Sequence, residues 1–112
     1  MTASNQSEIE LPNIPDVSAV YTLWFLDEKG KRNAFYVGET AHLCRRIGEY
    51  IVATPHASTD FEVGMEVRRH QEKGYKVLVS YEVVNPSDLR RKREEEVIEY
   101  LERAGHKLIN SK

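Results

Sequence analysis

The clustering of apolar residues near the start of the chain predicts a β-hairpin followed by a helix. Residues 20–26 and 34–37 are short runs of β-branched and aromatic residues, separated by a polar loop that contains one glycine. Two such runs joined in this way are typical of a hairpin. Beyond the second run, Leu43, Ile47 and Tyr50 recur at helical spacing. The pattern therefore predicts two paired strands that lead directly into an amphipathic helix.

The second half of the chain predicts one further strand between two helices. Residues 61–73 form a polar helical pattern that ends at Gly74, and residues 75–84 alternate apolar and polar positions as strands do. Residues 86–104 predict a long helix, with Asn85 as its N-cap and Pro86 at its first helical position. The closing residues, 106–112, are expected to be a short extended piece.

Length and composition bound the organisation of the chain. With 112 residues, 40% of them hydrophobic, the chain is expected to hold one domain with one modest core. Residues 1–10 are polar and without periodicity, which predicts a flexible N-terminal tail. The domain is then expected over residues 11–112. The one cysteine, Cys44, excludes an internal disulfide.

Charge and hydropathy give only weak indications about partners and location. The formal net charge is −2, but residues 29–112 hold all 16 Lys and Arg and 13 of the 18 Asp and Glu. This mild basic excess is typical of a solvated mixed surface. No apolar run reaches transmembrane length and the N-terminus carries no signal-like segment, so we expect no membrane association and a cytoplasmic setting.

The second predicted helix has a basic C-terminal half. Arg68, Arg69, His70 and Lys73 fall there. Because cations are favourable near a helix C-terminus, this pattern has an ordinary structural explanation. A phosphate-contacting surface is the alternative interpretation.

A glutamate lies on the apolar stripe of the last predicted helix. Glu94 shares one line with Val97 and Leu101 at helical spacing. A core-facing carboxylate is costly unless it is paired, reaches water or binds a cation. One interpretation is a salt bridge with Arg90 or Arg91, or a position at the edge of the core. The other is a metal ligand or a general acid/base at the rim of a site.

With these residues in order, the chain resembles the GIY-YIG nuclease superfamily. The tripeptides AVY at residues 19–21 and YVG at 36–38 stand where the two tripeptides of the family belong. The segment LPNIP at 11–15 also resembles the lead-in of bacterial excision-repair nucleases. Further matches follow in register, and the resemblance covers about residues 11–110: they are Thr40, Leu43, Arg46, Ile47, Glu94 and Asn110.

The resemblance implies a fold and an activity. The fold would be a small α/β (α+β) domain, with a three-stranded, mainly antiparallel sheet flanked by helices. The activity would be hydrolysis of DNA phosphodiester bonds by a divalent-metal-dependent endonuclease, with Mg²⁺ or Mn²⁺ as cofactor. The candidate catalytic residues are Tyr21, Tyr36, Arg46, Glu94 and Asn110. The candidate substrate-binding residues are Gly38, Thr40, His42 and Arg45.

The resemblance also implies a role for each catalytic residue. Tyr21 would activate or orient the attacking water, and Tyr36 would support the site or contact the phosphate. Arg46 would stabilise charge on the phosphoryl oxygens, Glu94 would be the metal ligand, and Asn110 would orient its neighbours. A guanidinium and a divalent ion suit an anionic transition state. A tyrosine, whose ordinary pKa is about 10, acts as a base at neutral pH only if a cation lowers that pKa.

Partners follow from the same resemblance, and two other interpretations stay open. DNA is the expected partner, RNA is a second candidate substrate, and a homodimer or a protein partner would supply target recognition. The alternative function is a catalytically weak or inactive domain that serves as a nucleic-acid- or protein-binding module. A third interpretation, an ordinary α+β interaction protein, requires Arg46 and Glu94 to lie on opposite faces of the domain.

Overall fold

The fold is an antiparallel sheet with helices on both of its faces. The computed structural model describes residues 6–10, 14–52 and 59–111. The strand order within the sheet is β1-β4-β2-β3, and every neighbouring pair is antiparallel. The predicted α+β class is therefore confirmed. In chain order the elements are β1 (Gln6–Glu10), β2 (Ala19–Leu26), β3 (Arg32–Thr40), α1 (Leu43–Val52), α2 (Thr59–Glu72), β4 (Lys76–Val83), α3 (Ser87–Arg103) and a short 3-10 helix (Ile109–Ser111).

The N-terminal strand β1 is where the structure departs from the sequence prediction. The sequence predicts a tail over residues 1–10 and a three-stranded sheet, whereas residues 6–10 form a fourth strand along β4. The segment QSEIE holds one apolar residue, so it shows no alternating hydrophobic signal. Strand formation here depends on backbone pairing with β4, which local sequence encodes only weakly. The predicted boundary between residues 10 and 11 falls partly outside the described residues.

The hairpin of β2 and β3 sets the positions of both motif tyrosines. Tyr21 lies opposite Gly38, and Leu23 lies opposite Tyr36. A bulge between Leu23 and Trp24 then shifts the register by one residue, so that Trp24 lies opposite Ala34. The hairpin is longer than predicted because its polar ends are also paired.

Each face of the sheet buries its own apolar cluster. One cluster joins β2, β3 and β4 to α1 and α2, and it contains Tyr21, Leu23, Val79, Leu43, Ile47, Tyr50, Val63 and Val67. The other joins the opposite face to α3 and the C-terminal segment through Val20, Ala34, Val37, Leu101 and Leu108. α3 packs on β3 and β2. None of the helices in the described ranges is long and apolar enough to span a lipid bilayer.

The basic half of α2 contains one residue that turns into the core. His70 is 9% exposed and stacks on the ring of Phe25, with ring centroids 3.8 Å apart. Its Nε2 lies 3.6 Å from a carboxylate oxygen of Glu66, while its buried Nδ1 has no hydrogen-bond partner among the described residues. His70 is therefore a packed core residue, and the phosphate-contacting interpretation of this helix does not extend to it.

The end of the chain also differs in detail from the prediction. Residues 109–111 form a 3-10 helix in place of an extended piece. At the start of α3 the N-cap is Pro86, with no side-chain capping hydrogen bond, and the helix begins at Ser87. The carbonyl oxygen of Asn85, the predicted N-cap, instead accepts a hydrogen bond from the guanidinium of Arg90.

Two glycines permit close contacts that position the tyrosines. A Cβ at Gly38 would lie 2.4 Å from the hydroxyl oxygen of Tyr21, whose ring crosses the strand there. A Cβ at Gly64 of α2 would lie 2.2 Å from the backbone oxygen of Tyr50 in α1. Only glycine therefore allows the Tyr21 ring to lie on β3 and α2 to approach α1 this closely.

Substituting Gly38 should destabilise the fold. Gly38→Ala forces the new methyl group into the ring of Tyr21, which is 1% exposed and cannot move aside. We expect the free energy of unfolding to fall by about 1–3 kcal/mol, measured by urea denaturation. Gly48→Ala is the control, because no described atom beyond its chain neighbours and the nearby backbone of α1 lies within 4 Å of its Cβ position. There alanine should stabilise the helix by about 1 kcal/mol, and a loss at Gly48 equal to that at Gly38 would contradict the steric explanation.

His70 should make stability depend on pH. Burial lowers the pKa of His70; Glu66 opposes this shift, and Lys73 and Arg69 reinforce it. Because the unfolded chain binds the proton more readily, the stabilisation is complete above about pH 6.5 and is lost as pH falls through the lower pKa of the folded state. His70→Phe should therefore flatten the decline in the denaturation midpoint between about pH 7 and pH 5.

The control for this prediction is an exposed histidine. The side chain of His42 is 49% exposed. His42→Gln should leave the acid-side decline of the denaturation midpoint as it is in the wild-type chain. An unchanged decline in His70→Phe would assign the acid sensitivity to other groups.

Candidate active site

Three tyrosines from three elements meet beside the hairpin. Tyr21 of β2, Tyr36 of β3 and Tyr50 of α1 have ring centroids between 5.8 and 6.4 Å apart. The hydroxyl groups of Tyr21 and Tyr50 are hydrogen-bonded to each other, and the rings of Tyr36 and Tyr50 are in edge-on contact, with an interplanar angle of 83°. Tyr50 thus links the two tyrosines that the sequence motifs identify.

Burial keeps these phenols in their neutral form. It raises the pKa of Tyr21, Tyr36 and Tyr50 well above the ordinary tyrosine value, and in each case it is the largest influence. Arg46 lowers all three pKa values, as a nearby cation should, but burial outweighs it. The three hydroxyl groups can therefore donate and accept hydrogen bonds at neutral pH without carrying charge.

Arg46 brings a positive charge to the tyrosines. It lies on α1 one turn before Tyr50, and its guanidinium carbon is 4.9 Å from the centroid of that ring. The same guanidinium donates a 2.7 Å hydrogen bond to Glu49, and its charge lowers the pKa of Tyr21. Its side chain is 29% exposed, so one side of the cation can still meet solvent or a ligand.

Glu94 of α3 places a carboxylate near Tyr36. It is half-buried on α3, and its charge raises the pKa of Tyr36. Burial raises the pKa of Glu94 itself, and the charges of Glu39 and Glu95 add to that rise. Neither Arg90 nor Arg91 pairs with it, and within the described ranges its carboxylate has no hydrogen bond or ion pair. The salt-bridge interpretation of Glu94 is therefore wrong.

The donor set around Glu94 suits a hydrated cation better than a protein-made cage. No group of three or more His, Cys, Asp or Glu side chains able to hold a metal ion occurs in the described part of the chain. Mg²⁺ is often held by one or two carboxylates, with waters and substrate phosphates completing its shell. A half-buried carboxylate without a cationic partner fits such an ion, and Glu94 is the residue that would bind it.

Arg90 balances the negative charge that follows the YVG motif. Its Nε donates a 2.8 Å hydrogen bond to Glu39 of β3, and its Nη1 donates to the hydroxyl of Ser18 at 2.8 Å and to the carbonyl of Asn85. Its side chain is only 11% exposed. Because it lies one helical turn before Glu94, this network fixes α3 against β3 at the level of the candidate site.

Asn110 acts on the hairpin backbone. Its Oδ1 accepts a 2.9 Å hydrogen bond from the N–H of Val37, and its Nδ2 donates a 2.8 Å bond to the carbonyl of Val37. Nearby, Nδ1 of His106 accepts a hydrogen bond from the N–H of Ala34. These side chains bond to the backbone of β3 before and after Tyr36. Asn110 therefore affects the site indirectly, by holding the strand that carries Tyr36.

The four candidate substrate-binding residues occupy structural positions around the start of α1. Gly38 is buried beneath Tyr21, and the hydroxyl of Thr40 accepts a hydrogen bond from the N–H of His42. The imidazole of His42 lies 3.4 Å from Asp16, and the N–H of Arg45 donates to the same carboxylate. Of these four, the side chains of His42 and Arg45 are exposed on the surface.

Of the five predicted catalytic residues, Tyr21, Tyr36 and Arg46 lie around a further residue, Tyr50. Glu94 acts on Tyr36 through its charge, and Asn110 bonds to the neighbouring backbone of β3. The charges of Arg46 and Glu94 both act on Tyr36, although the helices that carry them lie on opposite faces of the sheet, so the interpretation as an ordinary α+β interaction protein stays open. Tyr50 is the residue that the sequence analysis did not select as a site residue. The sequence did indicate Tyr50 in one way: it lies four residues after Arg46 and therefore on the same face of the helix.

Comparisons with known proteins place this arrangement in context. No protein-family model matches the sequence, and no curated protein matches it. Among solved structures, the chain is similar to a mutant of bacteriophage T4 EndoII, with a TM-score of 0.49 and 22% sequence identity. That match covers 69% of this chain and 62% of the other, so the chain spans less than two thirds of that protein. The resemblance to the GIY-YIG nuclease superfamily rests on the order of the motif residues in the sequence.

The Arg90 network should stabilise the fold measurably. Arg90→Met leaves Glu39, which is 24% exposed, without its cation, and we expect the free energy of unfolding to fall by about 3 kcal/mol. The double variant Arg90→Met/Glu39→Gln should recover part of that loss because it removes the unpaired charge. Arg91→Met, at the exposed neighbouring position, should change stability by less than about 0.5 kcal/mol. Equal losses at both arginines in chemical denaturation would contradict this account.

Proposed function

We propose that this chain is an endonuclease that hydrolyses DNA phosphodiester bonds with the help of a divalent metal ion. The observation that supports this most is the cluster of Tyr21, Tyr36 and Tyr50 with the Arg46 guanidinium 4.9 Å from the Tyr50 ring, on which the charge of Glu94 also acts through Tyr36. A fixed cation and a half-buried carboxylate, which has no cationic partner among the described residues, flank a set of neutral hydroxyl groups. This combination suits an anionic substrate whose charge grows in the transition state.

Glu94 is the residue that would hold Mg²⁺ or Mn²⁺. The ion, when bound, would polarise the phosphodiester and stabilise charge on its oxygens. A cation here would also offset the cost of a carboxylate whose ionised form burial disfavours. Because one carboxylate leaves most of the coordination shell free, water and substrate phosphate would complete it.

Arg46 and the tyrosines would bind and orient the reacting groups. The partly exposed guanidinium of Arg46 would bind a phosphoryl oxygen. Because the pKa of Tyr21 is raised, its hydroxyl is neutral. Tyr21 would therefore orient the attacking water through the hydroxyl network and would not remove a proton from that water. Tyr36 would contact the phosphate, and Tyr50 would relay hydrogen bonds between the two. Asn110 would keep the Tyr36 strand in place through its two bonds to Val37.

The charges of the domain favour a modest affinity for DNA. A net charge of −2 offers little general attraction to phosphates, whose neutralisation dominates such binding. The first turns of α3 carry a run of four basic residues, and two of them, Arg91 and Lys92, are exposed. Arg91 and Lys92 precede Glu94 on the same helix and would contact the phosphate backbone of the substrate. A second copy or a protein partner would add the rest of the target recognition, and RNA is a further candidate substrate.

The alternative is a binding module of the same fold with little or no catalysis. One observation favours it. Tyr21 is 1% exposed, and its hydroxyl is already bonded to Tyr50, so it offers little access to a water molecule. In this case the Arg46 and Glu94 side chains would serve only to hold nucleic acid or another protein.

The test is cleavage of labelled duplex, branched and single-stranded DNA in Mg²⁺, Mn²⁺ or EDTA. We expect metal-dependent cutting by the wild-type chain and a rate lower by about 100-fold or more in Glu94→Gln. Glu95→Gln makes the same charge change at an exposed neighbouring position and should keep the wild-type rate. Binding without cutting of any substrate would support the binding module, and equal rates in both variants would remove Glu94 from the site.

A further inference from the structure

A second concave site lies on the other side of α3. A cavity of 460 Å³ separates β2 and β4 from α3. Arg93 lines it, and the next residue along the helix is Glu94. Neighbouring Cα atoms are about 3.8 Å apart, so the cavity and the candidate active site lie on two sides of the same helical turn.

The floor of this cavity offers hydroxyl groups with free hydrogen-bonding capacity. Thr22 is 5% exposed, lines the cavity and makes no side-chain hydrogen bond to any described residue. The hydroxyl oxygen of Ser80 accepts a 2.8 Å bond from the indole N–H of Trp24, which leaves its own O–H as a donor. Buried polar groups normally have partners. The Thr22 hydroxyl faces the cavity, so a polar ligand that enters can replace the water that would otherwise bond there.

The walls of the cavity offer flat surfaces. The guanidinium of Arg32 lies over the ring of Trp24, with its carbon 4.3 Å from the centroid. Tyr100 of α3 stands at the rim with 71% of its surface exposed. Aromatic rings and arginine planes are the surfaces on which unpaired nucleic-acid bases stack.

The charges favour a neutral ligand inside the cavity and phosphates outside it. Arg93 is bonded to two carboxylates, Glu82 at 2.9 Å and Glu96 at 3.1 Å, so it offers no uncompensated positive charge to a phosphate. The exposed cations Arg91 and Lys92 lie just before it on the outer surface of α3. A base with its backbone outside the cavity matches this division better than a free phosphate does.

We propose that this cavity binds an unpaired base of the DNA strand whose backbone passes Glu94. The proposal rests on the proposed function, because it assigns the substrate class of that site: DNA with unpaired bases next to the cut. The base stacks on the Tyr100 and Trp24 side of the cavity and bonds to the hydroxyl groups of Thr22 and Ser80. Fully paired duplex DNA would have to release a base to enter.

Trp24 reports on this cavity directly, since it is the one tryptophan of the chain. A short single-stranded DNA is titrated in EDTA and followed by Trp24 fluorescence and by the NMR signal of its indole N–H. The control is an oligonucleotide of equal length built from abasic residues, which keeps the phosphates. We expect saturable quenching and a shifted indole signal with the normal oligonucleotide only. No saturable change, or an equal change with the abasic strand, overturns the proposal.

Two variants and a control locate the binding. Tyr100→Ala, at the exposed rim, should weaken binding by about 5- to 100-fold through lost stacking. Thr22→Val keeps the side-chain shape and removes the hydroxyl that faces the cavity, and it should also weaken binding. Leu89→Ala, at an exposed position of α3 outside the cavity, should bind as the wild-type chain does. Wild-type affinity in both Tyr100→Ala and Thr22→Val overturns the proposal.

The binding assay and the cleavage assay give separate answers. Because the titration runs in EDTA, it needs no catalysis. Base-dependent binding without any cleavage supports the cavity and rejects the nuclease, while cleavage without base-dependent binding rejects the cavity alone.

Discussion

The contact between the Tyr21 ring and the backbone at Gly38 determines the geometry of the candidate site. Since the ring lies directly on β3, its hydroxyl reaches across to Tyr50 on α1. Tyr50 is held in turn by the close approach of α2 at Gly64. Four consecutive elements, β2, β3, α1 and α2, are thus aligned by contacts that tolerate no extra atom. Tight packing of this kind costs flexibility but fixes side-chain positions, which a catalytic constellation needs.

The position of β3 in the sheet explains how opposite charges can meet at Tyr36. α1 and α3 lie on opposite faces of the sheet, where an inner strand would keep their side chains apart. β3 is an edge strand, so Arg46 from one face and Glu94 from the other can both approach the tyrosine it carries. Glu39 on the same strand would disturb this balance, and Arg90 neutralises it from α3.

Local sequence predicted the elements that carry a strong repeating signal. The hairpin, the stripe of α1 and the inward position of Glu94 all follow from the spacing of apolar residues, and the two tripeptides pointed to Tyr21 and Tyr36. What sequence could not give depends on contacts between distant segments. β1 forms by pairing with β4, and Arg90 pairs with Glu39 because the fold brings α3 to β3. The spacing of Tyr50 is that of an ordinary core residue, and only the fold shows that its hydroxyl bonds to Tyr21.

The pairing of Asn110 and His106 with β3 has a consequence for the behaviour of the molecule among its own copies. An uncovered edge strand offers free N–H and C=O groups to strands of other molecules, and such pairing leads to aggregation. Here an amide side chain satisfies both backbone groups of Val37, and an imidazole satisfies the N–H of Ala34. The C-terminal segment thereby protects the chain from intermolecular sheet formation at the strand that carries its candidate chemistry.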